Sequence, residues 1–153
     1  MKTKNTNRKI LFCLAAVLLA FVLLAGCAAV NSDAMDAHVR QMLDLDVKGD
    51  AEASYALLYP GVTDEETYRN SFAQIQAYFP ITEGYTMTLE HYGKTKQIGT
   101  DSGTYESAQY KVEFDGQVFH VYADYKSNKQ GSGFTMFRVV SQLDLAGPTE
   151  NHA

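Results

Sequence analysis

The stretch YKVEFDGQVFHVY, residues 110–122, contains two alternating runs on either side of a turn. Asp115-Gly116 at its centre is typical of a two-residue type I′ turn, because both turn positions require positive φ angles. Such a turn sets the register, so that Phe114 faces Gln117 and the pairing continues outward from there. Apolar side chains then share one face of the hairpin, and most polar ones share the other. The stretch therefore predicts an antiparallel hairpin with one core face.

Further strands are predicted on both sides of this hairpin. Before it, the alternation of Tyr85, Met87 and Leu89 with polar residues favours a half-buried strand that ends at the loop IGTDSG. After it, the loop KSNKQGSG precedes a last strand, FTMFRVVSQLDL. The register of that strand stays open, because either Phe137 and Val139 or the residues that alternate with them would face the core.

Two helices are predicted before the strands, at the start of the domain. From Ala34, apolar residues recur at spacings of three and four, and Gly49 is a suitable C-cap. Asp50 is placed to cap a short second helix, AEASYALLY, which ends before Pro60. The two helices are expected to meet at a tight corner.

A third helix is the most clearly marked element. Thr63 and Glu66 have the spacing of a capping box, and Pro80 ends the helical pattern. Its apolar stripe comprises Tyr68, Phe72, Ile75 and Phe79.

Three N-terminal helices followed by about four antiparallel strands predict an α+β fold, in which the helices pack on one face of a curved sheet. This order of elements, with the stretch KGDAEASYALLYPGVTDEETYRNSF, resembles the nuclear-transport-factor-like superfamily. The resemblance covers residues 34–145, interpreted as a single domain, and implies a cone-shaped fold, often with a pocket between the sheet and the long helix. It rests on element order and not on a catalytic motif, so it bears on fold more than on function. Residues 146–153 are predicted to be a disordered tail.

The N-terminus has the pattern of a secretory signal, in which the basic segment MKTKNTNRK precedes the apolar run ILFCLAAVLLAFVLLAGCAAV. Near the end of this run, Leu24-Ala25-Gly26-Cys27 resembles the bacterial lipobox. The resemblance implies that residues 1–26 are a signal peptide, that Leu24, Ala25 and Gly26 are recognised by a dedicated signal peptidase, and that the Cys27 sulfur carries a diacylglycerol.

In this interpretation residues 27–33 form the lipidated N-terminus and a short tether. The domain would then be anchored on the extracytoplasmic face of the cell membrane, by at least two acyl chains, because one chain anchors weakly. The alternative is a retained transmembrane anchor, since about 20 apolar residues suffice to cross a bilayer. Both interpretations place the domain outside the cytoplasm.

Cysteine usage and charge limit what the domain can do. The two cysteines are Cys13 and Cys27, so the part of the chain after Cys27 cannot form a disulfide within itself. All 18 acidic residues but only nine of the 13 basic ones follow Cys27, which gives that part a net charge of −9 with histidine neutral. We therefore expect no nucleic-acid partner and repulsion from anionic headgroups.

The sequence contains no motif for metal, cofactor or nucleophilic chemistry: HExxH, paired CxxC, phosphate-binding glycine loops and GxSxG are absent. The one row of chemically active groups is His120, Tyr122 and Asp124 on the polar face of a strand, with Lys111 opposite His120. Its neighbours stand about 7 Å apart, which is too far for direct hydrogen bonds without side-chain extension. We interpret the row as a solvated or partner-facing surface and predict no catalytic residue.

The interior is a second candidate site, because tyrosines are numerous among the predicted core residues and a buried hydroxyl needs a partner. A pocket would be lined by Tyr68, Tyr85 and Tyr110, with His91 at its mouth as the continuation of the Tyr85 face. The alternative is that these tyrosines lie at the rim with their hydroxyls in water. His38 and His152 are interpreted as surface residues.

These observations favour a non-enzymatic binding or scaffolding module at the cell envelope, which holds a small apolar ligand inside the cone or an envelope protein on the polar sheet face. One alternative is a lyase or isomerase, which requires an enclosed pocket with a carboxylate or imidazole of perturbed pKa. Another is a homodimer through the sheet face, which would bury Val118, His120 and Tyr122.

Overall fold

Four antiparallel strands form one sheet, in which each strand pairs with the next along the chain. The computed structural model describes residues 31–142. The strands are β1 (Thr86–Gln97), β2 (Gly103–Phe114), β3 (Gln117–Asn128) and β4 (Gly131–Ser141). Short turns suffice for this order, because antiparallel neighbours can be joined by hairpins. Together with three preceding helices, the sheet makes an α+β fold, as predicted.

The hairpin of β2 and β3 has the predicted register. Asp115 and Gly116 adopt φ angles of 47° and 73°, so both turn positions are left-handed. Phe114 pairs with Gln117, and the pairing continues without interruption to Thr104 opposite Ser127. The residues of the inner face are buried: Ala108, Tyr110, Val112, Phe114, Phe119, Val121 and Ala123.

Helices α1 (Asp33–Lys48) and α2 (Ala51–Tyr55) meet at the predicted corner. Gly49 takes a left-handed conformation, and its N–H donates to the carbonyls of Asp46 and Leu45, which ends α1. The Asp50 side chain accepts a hydrogen bond from the Ala53 N–H and caps α2.

Helix α2 is shorter than predicted, because the segment after it pairs with the sheet. The Tyr59 N–H donates to the Phe134 carbonyl and the Phe134 N–H donates to the Leu57 carbonyl, each at 2.9 Å. Leu58 thereby forms a parallel bridge with Phe134 on the free edge of β4. Backbone groups that would have continued the helix are satisfied by the strand instead.

Helix α3 (Glu65–Tyr78) begins one residue later than the capping box predicted. Asp64 is the N-cap, and its carboxylate accepts hydrogen bonds from the Thr67 N–H at 2.8 Å and the Thr67 hydroxyl at 2.7 Å. These bonds lower the pKa of Asp64, because they favour its charged form. The prediction that Thr63 caps the helix was wrong, since the neighbouring carboxylate is the better acceptor.

The loop predicted from KSNKQGSG is a tight turn between β3 and β4. Asn128 and Gly131 are the last pair, and the Asn128 side chain accepts a hydrogen bond from the Gln130 N–H. In β4, Phe137 and Val139 pack against the core, which settles the register that the sequence left open.

A register shift in β1 overturns the predicted face of His91. Leu89 pairs with Tyr110, but the next pair joins His91 to Gln109, so Glu90 is an extra residue in the strand. Tyr92 follows on the inner face opposite Ala108, and His91 lies on the outer face. The alternation that begins at Tyr85 therefore stops at Leu89.

The core lies between the inner face of the sheet and the helices. Its fully buried side chains are Met35, Val39 and Leu43 of α1, Phe79 after α3, and Tyr110, Val112, Val121 and Phe134 of the sheet. Phe79 contacts Phe114 and Phe119 edge-on, with ring centroids 5.3 and 4.8 Å apart. Such aromatic packing orients α3 on the sheet.

None of the helices within residues 31–142 is long and apolar enough to span a membrane. The predicted signal peptide of residues 1–26, the lipobox Leu24 to Cys27, the tail 146–153 and His152 lie outside the described residues.

Candidate functional site

A groove crosses the outer face of the sheet, opposite the helices. It has a volume of about 350 Å³ and is open to solvent. All four strands contribute to its lining: His91, Tyr92 and Gly93 of β1, Ser107, Ala108 and Gln109 of β2, Tyr122, Ala123 and Asp124 of β3, and Met136 of β4.

The groove arises from a difference in side-chain size between neighbouring rows. Gly93 and Ser107 are direct partners in the β1–β2 pair and form a low floor. In the adjacent row, His91 pairs with Gln109, and Gln109 pairs with Tyr122. Because alternate residues share a face, the row of large side chains stands directly beside the row of small ones.

One end of the groove combines an apolar group with a charged one. Asp124 pairs with Met136 across β3 and β4. The Met136 side chain is 40% exposed, which is high for a large apolar residue in a strand. A flexible thioether beside a carboxylate offers an adaptable contact for an apolar side chain that is flanked by hydrogen-bond donors.

The bulge residue Glu90 connects three strands next to the groove. Its Oε2 accepts a hydrogen bond from Gln109 Nε2 at 2.8 Å and lies 3.0 Å from His120 Nδ1. With a proton on Nδ1, the imidazole donates to the carboxylate and is held in one orientation. Alternation after Leu89 already places Glu90 on the outer face, but no sequence signal indicates that its side chain contacts Gln109 and His120.

The members of the predicted row on β3 contact other residues and not one another. His120 contacts Glu90 instead of Asp124, and Lys111 forms its ion pair with Glu113 at 3.0 Å instead of contacting His120. Tyr122 and Asp124 line the groove. All four side chains, Lys111, His120, Tyr122 and Asp124, are half-buried, which is usual for residues on the open face of a sheet.

The three tyrosines of the predicted interior pocket face the helices at separate places. The Tyr68 hydroxyl donates to Ser54 Oγ at 3.0 Å, the Tyr85 hydroxyl to Asp44 at 2.8 Å, and the Tyr110 hydroxyl to Asp36 at 2.6 Å. Burial raises the pKa of all three phenols. Each hydroxyl is used to attach a helix, so the structure does not bring the three together around one cavity.

His91 lies apart from these tyrosines, on the outer face, where it lines the groove. The prediction that His91 lies at the mouth of a pocket lined by Tyr85 is therefore wrong, because the bulge at Glu90 turns the His91 side chain to the outer face of the sheet. No sequence signal distinguishes such a bulge in a strand of mixed polarity.

A polar cluster borders the inner face near the start of α1. Tyr92 donates to Glu106 at 2.7 Å, and Lys94 forms an ion pair with the same carboxylate at 2.9 Å. Burial, together with the bond to Glu106, raises the pKa of Tyr92 to about 12. The two partners lower the pKa of Glu106 despite its partial burial, so this carboxylate is charged and satisfied.

Asp46 is a buried carboxyl group with an incomplete set of hydrogen bonds. It is 8% exposed, and its Oδ1 has no hydrogen-bond partner within residues 31–142. Desolvation raises its pKa to about 6. Its charge also raises the pKa of Tyr68 on α3, so it faces the helix layer, and it does not line the groove. Its spacing from Met42 and Leu43 on the apolar stripe of α1 was the available sequence signal.

Within residues 31–142, no group of three or more His, Cys, Asp or Glu side chains is arranged to hold a metal ion. Comparison with known proteins found no matching family model, no matching curated protein and no matching solved structure.

Proposed function

We propose that this chain is a lipid-anchored binding module of the cell envelope, with a nuclear-transport-factor-like domain and no catalytic role. Its domain would be held at the extracytoplasmic membrane surface through Cys27. The groove on the outer face of the sheet would bind an envelope protein.

The observation that carries the proposal is the groove itself, which crosses all four strands on the face away from the helices. A small apolar ligand between helices and sheet is less well supported, because large side chains occupy that space. Phe79, Tyr110 and Phe134 are each fully buried there. Interiors packed in this way leave few voids larger than a water molecule.

The chemistry of the groove favours a protein segment as the ligand. The Gly93–Ser107 floor accommodates one apolar or aromatic side chain, and Met136 offers it a soft contact. The Asp124 carboxylate and the Gln109 amide can accept hydrogen bonds from a peptide backbone or a basic side chain. The rest of the domain is acidic, which favours partners with an excess of positive charge.

Photocrosslinking in living cells tests the groove. A benzophenone amino acid at Met136 should give an adduct heavier than the chain, and the same group at Glu52, exposed on α2, should not. Ser107→Tyr fills the floor and should reduce the Met136 adduct about tenfold, the effect of losing about 1.4 kcal/mol of binding. An adduct of twice the chain mass would instead identify a homodimer. An adduct that is unchanged by Ser107→Tyr would contradict binding in the groove.

Mass spectrometry of membrane-extracted protein tests the anchor separately. An acylated peptide that begins at Cys27, and is lost in Cys27→Ala, supports lipidation. A peptide that still contains residues 2–30 would show a retained apolar segment and contradict it.

A further inference from the structure

Helix α1 runs along the sheet in the direction opposite to β1. Near its start, the His38 ring stacks on Tyr125 with centroids 4.2 Å apart, three residues before the end of β3. Near its other end, Asp44 accepts a hydrogen bond from Tyr85, one residue before β1 begins. The N-terminus of α1 therefore lies at the end of the sheet that carries the β1–β2 loop and the β3–β4 turn. We call this end of the sheet the distal end.

The β1–β2 loop at the distal end presents an apolar side chain to solvent. Ile98 is 93% exposed, far more than any other large apolar residue of residues 31–142. The loop is nevertheless held in place, because the Asp101 carboxylate accepts hydrogen bonds from the Tyr105 hydroxyl at 2.8 Å and from Lys126 Nζ at 2.9 Å. The exposure of Ile98 therefore belongs to an ordered loop.

Three further lysines lie near the end of β1 and in the β3–β4 turn, at the distal end. Lys94 and Lys96 alternate along the exposed part of β1, on the same face as Tyr92. Lys129 lies in the turn between β3 and β4. Within residues 31–142, neither Lys96 nor Lys129 forms an ion pair, so both charges are available.

Two carboxylates beside the β1–β2 loop are already neutralised. Asp101 is paired with Lys126, and Glu106 is paired with Lys94. The net charge of −9 after Cys27 predicts repulsion from anionic lipid for the domain as a whole. Around the β1–β2 loop and the β3–β4 turn the local balance is different, because, among the described residues, Asp101 is paired there and Lys96 and Lys129 are not.

We infer that the distal end docks on the anionic phospholipid surface that carries the anchor, with Ile98 inserted among the headgroups and Lys96 and Lys129 against lipid phosphates. The inference rests on the proposed anchoring before α1. Asp33 is the sixth residue after Cys27, and six residues of chain span at most about 20 Å. The tether thus brings the distal end, and not the opposite end, to the membrane. An apolar residue flanked by basic ones is the combination that binds such surfaces.

Site-specific fluorescence in the full-length protein tests this orientation. Residues 28–153 contain no cysteine, so Ile98→Cys introduces a unique thiol for an apolar, environment-sensitive dye once Cys27 is acylated. Gln117→Cys, in the exposed β2–β3 turn at the opposite end of the sheet, is the matched control. Both proteins are reconstituted in phosphatidylcholine vesicles with and without phosphatidylglycerol, containing a lipid that carries a quencher.

We expect the dye at Ile98→Cys to shift to shorter wavelength and to lose at least about half of its emission to the quencher, because interfacial insertion reaches about 5–10 Å. The dye at Gln117→Cys should remain unquenched. Adding Lys96→Glu and Lys129→Glu should reduce the quenching at position 98 only in vesicles with phosphatidylglycerol. Equal quenching at both positions, or none at position 98, overturns the inference.

The anchor is assessed in the same samples by the mass of the N-terminal peptide. In an acylated chain, quenching confined to position 98 supports docking. If the peptide shows a retained apolar segment, Cys13→Ser and Cys27→Ser are added to both proteins before labelling, and quenching confined to position 98 supports docking in the same way, because either anchor precedes α1. An acylated chain without quenching at position 98 would refute docking and leave the proposed anchor intact.

Discussion

Replacement of Asp46 by asparagine is expected to stabilise the domain at neutral and alkaline pH. The carboxyl group is buried among the helices, and its Oδ1 has no hydrogen-bond partner within residues 31–142. Its ionised form is therefore poorly solvated in the folded chain and well solvated in the unfolded chain. An asparagine side chain has nearly the same shape without the charge, so Asp46→Asn removes the charge-dependent part of this cost.

The sign and size follow from the pKa. Burial raises the pKa of Asp46 from 3.8 to about 6, so the folded state binds the proton more tightly than the unfolded state. Stability from this group is complete below pH 3.8 and is lost as the pH rises through 6. The full rise corresponds to about 3 kcal/mol. Residual exposure of 8% and the unsatisfied amide of the introduced side chain reduce the expected gain to about 1–2 kcal/mol.

Urea unfolding of a fragment that begins at Ala28 measures this gain. The variant should exceed the natural sequence in unfolding free energy by about 1–2 kcal/mol at pH 8, and the difference should vanish near pH 4. Glu52→Gln removes one exposed charge from α2 and should change stability by less than about 0.5 kcal/mol at either pH. A variant that is less stable than the natural sequence at pH 8, or a difference that does not depend on pH, would refute the reasoning.

Two further substitutions test how the helices and the loop before α3 attach to the sheet. Gly133→Ala should destabilise the domain by about 2–3 kcal/mol in thermal unfolding, because the added Cβ would lie 2.4 Å from the Tyr59 backbone nitrogen. Gly93→Ala is the control, because its added Cβ meets no atom within 4 Å. Equal losses of stability in the two variants would contradict this explanation. Tyr110→Phe should lower the free energy of unfolding by about 2 kcal/mol in chemical unfolding, because it removes the hydrogen bond to the Asp36 carboxylate. Unchanged stability would show that this bond does not hold α1 on the sheet.

The parts of the fold that could be predicted are those determined by neighbours in the sequence. Asp115-Gly116 requires the turn that it forms, and that turn determines every pair along β2 and β3. Gly49 and Asp50 likewise end one helix and begin the next with their own backbone and side-chain groups. Errors arose where two local signals competed, as Thr63 and Asp64 did for the cap of α3.

The candidate site was less accessible to prediction. Tyr122 and Asp124 were correctly assigned to a face of β3 that points away from the helices, yet no pattern indicated a groove beside them. Its floor depends on Gly93 standing opposite Ser107, and that pair exists only because Glu90 shifts the register of β1. A bulge forms when packing on both sides favours it, which single-strand periodicity does not encode.

The sequence by itself determined the element order, the hairpin register and the division of β2 and β3 into a core face and a polar face, because these follow from turn geometry and alternation. Only the tertiary structure decided which partner each polar group finds. Tyr110 meets Asp36 across 74 residues, Glu90 meets His120 across 30, and Asp46 meets no hydrogen-bond donor for its Oδ1 within residues 31–142. Contacts between residues so far apart along the chain depend on how the helices and sheet pack together, and local propensity contains no information about that packing.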